Sequence, residues 1–134
     1  MGIFNPCPCD CSGTLTQLLG NNNLFIANIC PACERSLGSS VTITTQEGGV
    51  IFESTVVKPS SCVTSQGGTS LVVSGEGLLE GIPVVFTLFL FESISIDQFE
   101  IIFRRLGTTG NVLQSSLSGI AQDGDLTITE CLGE

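Results

Sequence analysis

The sequence predicts an all-β protein, an eight-stranded antiparallel jelly-roll sandwich with a flexible N-terminal arm. Three observations carry that expectation. From residue 24 onward apolar and polar residues alternate with a period of two, turn-forming Gly and Asp sequences recur at short intervals, and no segment holds a helical period. At 134 residues the chain is long enough for one domain with a real core. It divides into a Cys-rich connector arm over residues 1–22 and a β-sandwich over residues 23–134.

The arm opens with Asn5-Pro6-Cys7-Pro8-Cys9-Asp10-Cys11-Ser12-Gly13 and closes with Asn21-Asn22-Asn23, all turn and breaker sequences. Only residues 14–19 have the composition for a short helical turn. Fully extended, some 20 residues reach about 65 Å, enough to cross a neighbouring domain of this size. Strands are expected at residues 24–30, 39–46, 50–57, 69–74, 83–91, 99–106, 111–117 and 125–131. Glu47-Gly48-Gly49 supplies a hairpin turn, Gln66-Gly67-Gly68 and residues 107–110 supply loops, and Asp123-Gly124-Asp125 supplies a tight reversal. An immunoglobulin-like sandwich is the second choice, disfavoured by the missing Trp and the missing Cys…Trp…Cys pattern.

Two strands differ in what they ask of their surroundings. In residues 39–46, Val41 and Ile43 alternate with Ser40, Thr42 and Thr44, one face dry and the other wet. In residues 83–91, Val84, Phe86, Leu88 and Leu90 fill one face, while Val85, Phe89 and Phe91 fill most of the other around Thr87. Both faces of that strand need cover, the second either from the chain itself or from another subunit.

Charge narrows the partners. Asp and Glu number 13 against the four cations Arg35, Lys58, Arg104 and Arg105, a formal net charge of -9. No nucleic-acid partner is expected, because phosphate binding needs clustered cations and a strand over residues 99–106 would turn Arg104 and Arg105 to opposite faces. No membrane contact is expected: residues 82–91 form the most apolar stretch, far short of the roughly 20 residues of a spanning helix. Residues 1–11 lack the basic start and apolar run of a secretory signal, and Pro6 stands where a myristoylation signal has Ser or Thr.

The seven cysteines are the main chemical feature. Cys7, Cys9 and Cys11 alternate in the arm, Cys30-Pro31-Ala32-Cys33 is a CxxC, Cys62 follows Lys58-Pro59, and Cys131 lies in or just beyond the last strand. Sulfurs two residues apart pair poorly with each other, so the arm sulfurs look elsewhere for partners. An odd count leaves at least one free or bonded to another molecule. All seven are therefore candidates for intersubunit disulfides. The alternatives are internal disulfides with one spare thiol, or zinc, for which a second CxxC is missing. A thioredoxin-like role needs a helix after Cys33, and Glu34-Arg35-Ser36-Leu37-Gly38-Ser39 offers none.

No catalytic residue, cofactor or metal is assigned. The chain has no His, which removes His-based triads, proton shuttles and ligands. Carboxylate pairs such as Glu92 with Asp97 or Glu100 read as solvated turn residues more readily than as a glycosidase pair. Asp123-Gly124-Asp125 lacks the further oxygens of a calcium loop.

A Cys-bearing arm, an all-β domain of about 110 residues and an acidic Thr/Val/Gly-rich composition together resemble the endospore appendage and spore-surface fibre subunits of Bacillus-type bacteria. The resemblance is one of layout, through Cys7, Cys9, Cys11 and Cys131; this arm departs from the family's in separating its cysteines with Pro and Asp. It implies jelly-roll subunits that stack by sheet augmentation, with arm sulfurs as connectors and Cys30, Cys33, Cys62 or Cys131 as their targets. It also implies synthesis in a mother cell and exposure on the spore after lysis, which reconciles many thiols with no export signal. The expected function is structural and non-enzymatic: a homopolymer, a disulfide-cross-linked fibre or coat on a spore or cell surface, with other spore-surface proteins as further partners. The alternative is a trimeric jelly-roll module at the tip of a surface structure, binding a protein or glycan.

Overall fold

Alternation of buried and exposed side chains organises the middle of the chain. A computed structural model describes residues 9, 11–19, 22–30, 39–106, 112–121 and 125–131. Ten strands form among them: β1 (Cys11–Leu18), β2 (Leu24–Ile29), β3 (Ser40–Thr44), β4 (Val50–Val57), β5 (Ser61–Ser65), β6 (Gly68–Leu79), β7 (Ile82–Glu92), β8 (Asp97–Leu106), β9 (Val112–Ala121) and β10 (Leu126–Glu130). The sheet is antiparallel and runs β10-β1-β2-β3-β4-β6-β7-β8-β9, with β5 paired to β6 off this path. Neighbours are consecutive in sequence except β4–β6 and β1–β10, a near-continuous meander in place of a jelly roll's interleaved order.

The inward rows explain why the sheet bends back on itself into a nearly closed barrel. β6 turns in Leu71 and Val73, β7 turns in Val84, Phe86, Leu88 and Leu90, and β8 turns in Phe99, Ile101 and Phe103. Facing them are Leu15 of β1, Phe25, Ala27 and Ile29 of β2, Val41 and Ile43 of β3, and Leu126 of β10. Phe25 meets Phe99 edge-on at 5.4 Å between ring centroids. At the fold between the two halves, Phe52 of β4 packs against Phe86 at 5.5 Å and Phe103 at 4.8 Å. Such aromatic contacts add about 0.5–1.5 kcal/mol each to the burial of the rings.

Two strands more than the eight expected are present, and both come from segments read as irregular. Residues 14–19, assigned at most a helical turn, belong largely to β1, which hydrogen-bonds to β2 on one side and β10 on the other. Its polar Thr14 and Thr16 face out while Gly13 and Leu15 face in, so few apolar residues advertise it. β5, read as the loop around Cys62, has a single half-buried hydrophobe and an otherwise exposed sequence.

β4 and β5 are two halves of one bent strand along the same edge of β6. β4 pairs with residues 75–79 and β5 with residues 68–72. At the bend the Lys58 amide donates to the Ser74 carbonyl at 2.9 Å, so the ladder to β6 continues.

β6 also runs five residues past its expected end, through Gly75 and Gly77. A Cβ on Gly77 would stand 2.7 Å from the Phe52 ring, and one on Gly75 would stand 2.9 Å from the Phe86 ring. The glycines mark where the Val56 and Glu53 carbonyls of β4 and the two rings come too close to the strand for a Cβ. Glu80 (φ 51°) and Gly81 (φ 83°) then form a two-residue turn with both φ values positive, the type I′ geometry that matches strand twist. Gly107–Gly110 and the Asp123-Gly124 part of the last expected turn lie outside the described residues.

Gly77→Ala is expected to lower stability by about 1–3 kcal/mol through overpacking against Phe52, read as a reduced urea midpoint with the sheet spectrum retained.

Candidate functional site: two adjoining disulfides around Ser60

The bend between β4 and β5 places Ser60 under the start of β1. Its hydroxyl donates to the Cys11 carbonyl at 2.6 Å, and the same oxygen lies 3.6 Å from Cys30 Sγ and 3.9 Å from Cys11 Sγ. Both sulfurs belong to bridges within the chain: Cys9–Cys30, with Cα atoms 6.4 Å apart, and Cys11–Cys62, with Cα atoms 6.1 Å apart. Cys9, Cys11 and Cys30 are buried and Cys62 is half-buried.

Each bridge has a distinct mechanical job. Cys9–Cys30 ties the residues before β1 to the end of β2, its sheet neighbour. There Cys30 turns the chain at φ 51°, a left-handed conformation unfavourable for a residue with a Cβ. The Ser39 hydroxyl accepts from the Cys30 amide at 2.7 Å and holds that turn. Cys11–Cys62 joins β1 to β5 and so clips one half of the barrel to the other across a sequence separation of 51. By the chain-entropy account, closing loops of these sizes is worth about 3 and about 4 kcal/mol respectively.

Further polar contacts gather at the same end. The Thr64 hydroxyl of β5 donates to Glu130 of β10 at 2.6 Å, and Glu92 at the end of β7 accepts from the Ile128 amide of β10 at 2.9 Å. Asp97 is buried and accepts from the Ser93 amide at 3.2 Å. Two of the three carboxylates weighed as a catalytic pair therefore hold backbone groups.

Of the seven sulfurs read from the sequence, four are brought together here. Cys131, one residue beyond the Cys11–Glu130 register pair, is disulfide-bonded as well. Cys7 and Cys33 lie outside the described residues. In both bridges an arm sulfur meets a body sulfur within one chain, as in the internal-disulfide alternative; the resemblance implies the same kind of pairing between copies. No protein-family model, curated protein or solved structure matches this chain. Among the described residues, no cluster of three or more His, Cys, Asp or Glu is placed to hold a metal ion.

Two surfaces complete the candidate site. β9 ends the sheet as an edge strand of ten residues, Val-Leu-Gln-Ser-Ser-Leu-Ser-Gly-Ile-Ala, without a charge or a proline. The second face of β7 is left open by the described residues, with Val85 at 52 % and Phe89 at 37 % exposure. Sequence reasoning missed Ser60; its only signal was adjacency to Cys62 behind Lys58-Pro59.

Ser60→Ala removes the donor from a buried carbonyl and is expected to cost about 1–3 kcal/mol, seen as a lower melting temperature in the oxidised protein. The Cys11→Ser/Cys62→Ser pair is expected to lose up to about 4 kcal/mol in the same measurement.

Proposed function

We propose that this chain is a structural, non-enzymatic subunit that assembles with further copies of itself into a fibre or coat on a bacterial spore or cell surface. The joints are edge-to-edge β contacts, reinforced by disulfides. The observation that carries this reading is the β9 edge: a ten-residue strand paired to β8 on one side, whose outward N–H and C=O groups meet no further strand among the described residues, with none of the charges or prolines that blunt an edge strand. An edge of that kind recruits another strand, and an assembling protein uses it as a joint.

The sulfurs supply the lock. Cys9 and Cys11 sit immediately before and at the start of β1, which hydrogen-bonds to neighbours on both sides. The same two arm-to-body bonds, made to Cys30 and Cys62 of a neighbouring copy, would link subunits with no new chemistry. The layout shared with endospore appendage subunits supports this reading, and late exposure after cell lysis supplies the oxidising surroundings that so many cysteines require.

Negative-stain imaging of the oxidised protein is expected to show open filaments or sheets, and a uniform closed trimer would defeat the proposal in favour of a binding module. Replacing Cys7, Cys9 and Cys11 together by Ser is expected to lower the melting temperature through loss of both internal bridges while the sheet spectrum is retained, and to give polymers that dissociate in denaturant without reductant, while the parent's persist. Ser115→Lys, on the β9 edge, is expected to shorten or abolish filaments with the fold unchanged, read by imaging and sheet spectrum.

A further inference from the structure

The outward face of β6–β9 carries a pattern that repeats in reverse about Ile102. On β8 the outward residues are Gln98, Glu100, Ile102 and Arg104, each in register with a residue on either side. The Glu100 row runs Val72, Phe89, Glu100, Ser118; the Ile102 row runs Ser74, Thr87, Ile102, Ser116; the Arg104 row runs Glu76, Val85, Arg104, Gln114. Among the described residues this face carries only Glu76, Glu100 and Arg104 as charges, nearly neutral on a chain of net charge -9. Glu100 and Arg104 lie four residues apart on one strand, about 13 Å, too far to pair with each other. Among the described residues neither is in an ion pair.

We propose that this face is a two-fold interface with a second copy of this chain, stacked with strands antiparallel across a dyad that runs along the Ile102 row. Rotation about that axis places the Glu100 row over the Arg104 row of the second copy. Glu100 then meets Arg104, Phe89 meets Val85 and Ser118 meets Gln114, while Ile102 and Thr87 meet themselves on the axis. Every pair except Val72 with Glu76, on the β6 side, is complementary, and the two ion pairs form symmetrically. Stacking with strands parallel instead sets Glu100 on Glu100 and Arg104 on Arg104, which like-charge repulsion rejects. The charges thus select one orientation and one occupant. Four strands about 4.8 Å apart and about 33 Å long give roughly 600 Å² per copy, the low end of a specific interface, so the contact is weak and concentration-dependent. This surface is neither the β9 edge nor the sulfur site, and it joins fibres or layers side by side.

The test uses charge reversal in the full oxidised chain, followed by sedimentation velocity across micromolar concentrations. Glu100→Arg and Arg104→Glu are each expected to weaken self-association about tenfold or more. Mixing the two single variants is expected to give a hetero-pair tighter than either alone, and the double variant is expected to associate like the parent. Separately, the Arg104→Lys variant treated with a zero-length carbodiimide is expected to yield a peptide cross-linked between Glu100 and the new amine at position 104, which the spacing along one strand forbids within a copy. Single reversals that associate like the parent, a mixture with no preference for the hetero-pair, or absence of the cross-linked peptide would each overturn the proposal. Filaments that persist in the single-reversal variants would show that the edge and sulfur joints stand apart from this one.

Discussion

The bent strand β4–β5 is the constraint on which the rest of the structure depends. By staying on one edge of β6 for its whole length, it pairs with one half of the barrel at its start and reaches the other half at its end. The bend needs a small polar residue that can go inside, and Ser60 is that residue: its hydroxyl donates to the carbonyl of buried Cys11. Ser60 and Cys62 together bring β5 over β1, and the bridges fix what the hydroxyl aligns. Loss of the bend would leave the barrel joined only along β4.

The all-β class and most strands were legible because alternation is a strong signal where one face is buried. Residues 39–46 and 83–91 gave the inward sets of β3 and β7 residue by residue. Ten strands stood where eight were expected for a physical reason. β1 and β5 are held by neighbours on their edges and by disulfides, with little apolar burial of their own, so their sequences carry polar and breaker residues. The strand expected at residues 69–74 instead continues to Leu79 through Gly75 and Gly77, where the Phe86 and Phe52 rings pack close to the backbone. At the site, the sulfurs were legible as reactive partners and as arm-to-body connectors in type. Their pairing depends on a fold-back that sequence spacing does not encode, and Ser60 has no local signature at all.

The surfaces divide by chemistry. The inside is Phe, Leu, Ile and Val in ordered rows; the β9 edge is small and uncharged; the outward β6–β9 face alternates apolar residues with a few charges of both signs. With only 13 % charged residues, the chain has few means of keeping such surfaces apart from copies of itself.

The position of the Cys11–Cys62 bond has a consequence for load. Tension entering through the residues before β1 is met first at Cys9, whose bond passes part of it to the end of β2, and then at Cys11, whose bond passes it into β5 beside the long β6. The 51-residue span between those two cysteines cannot be drawn out while the bond stands, which withholds about 170 Å of contour from extension. A subunit loaded in this way would keep that length folded away until a reductant cut both overlapping bonds and the sheet then gave way.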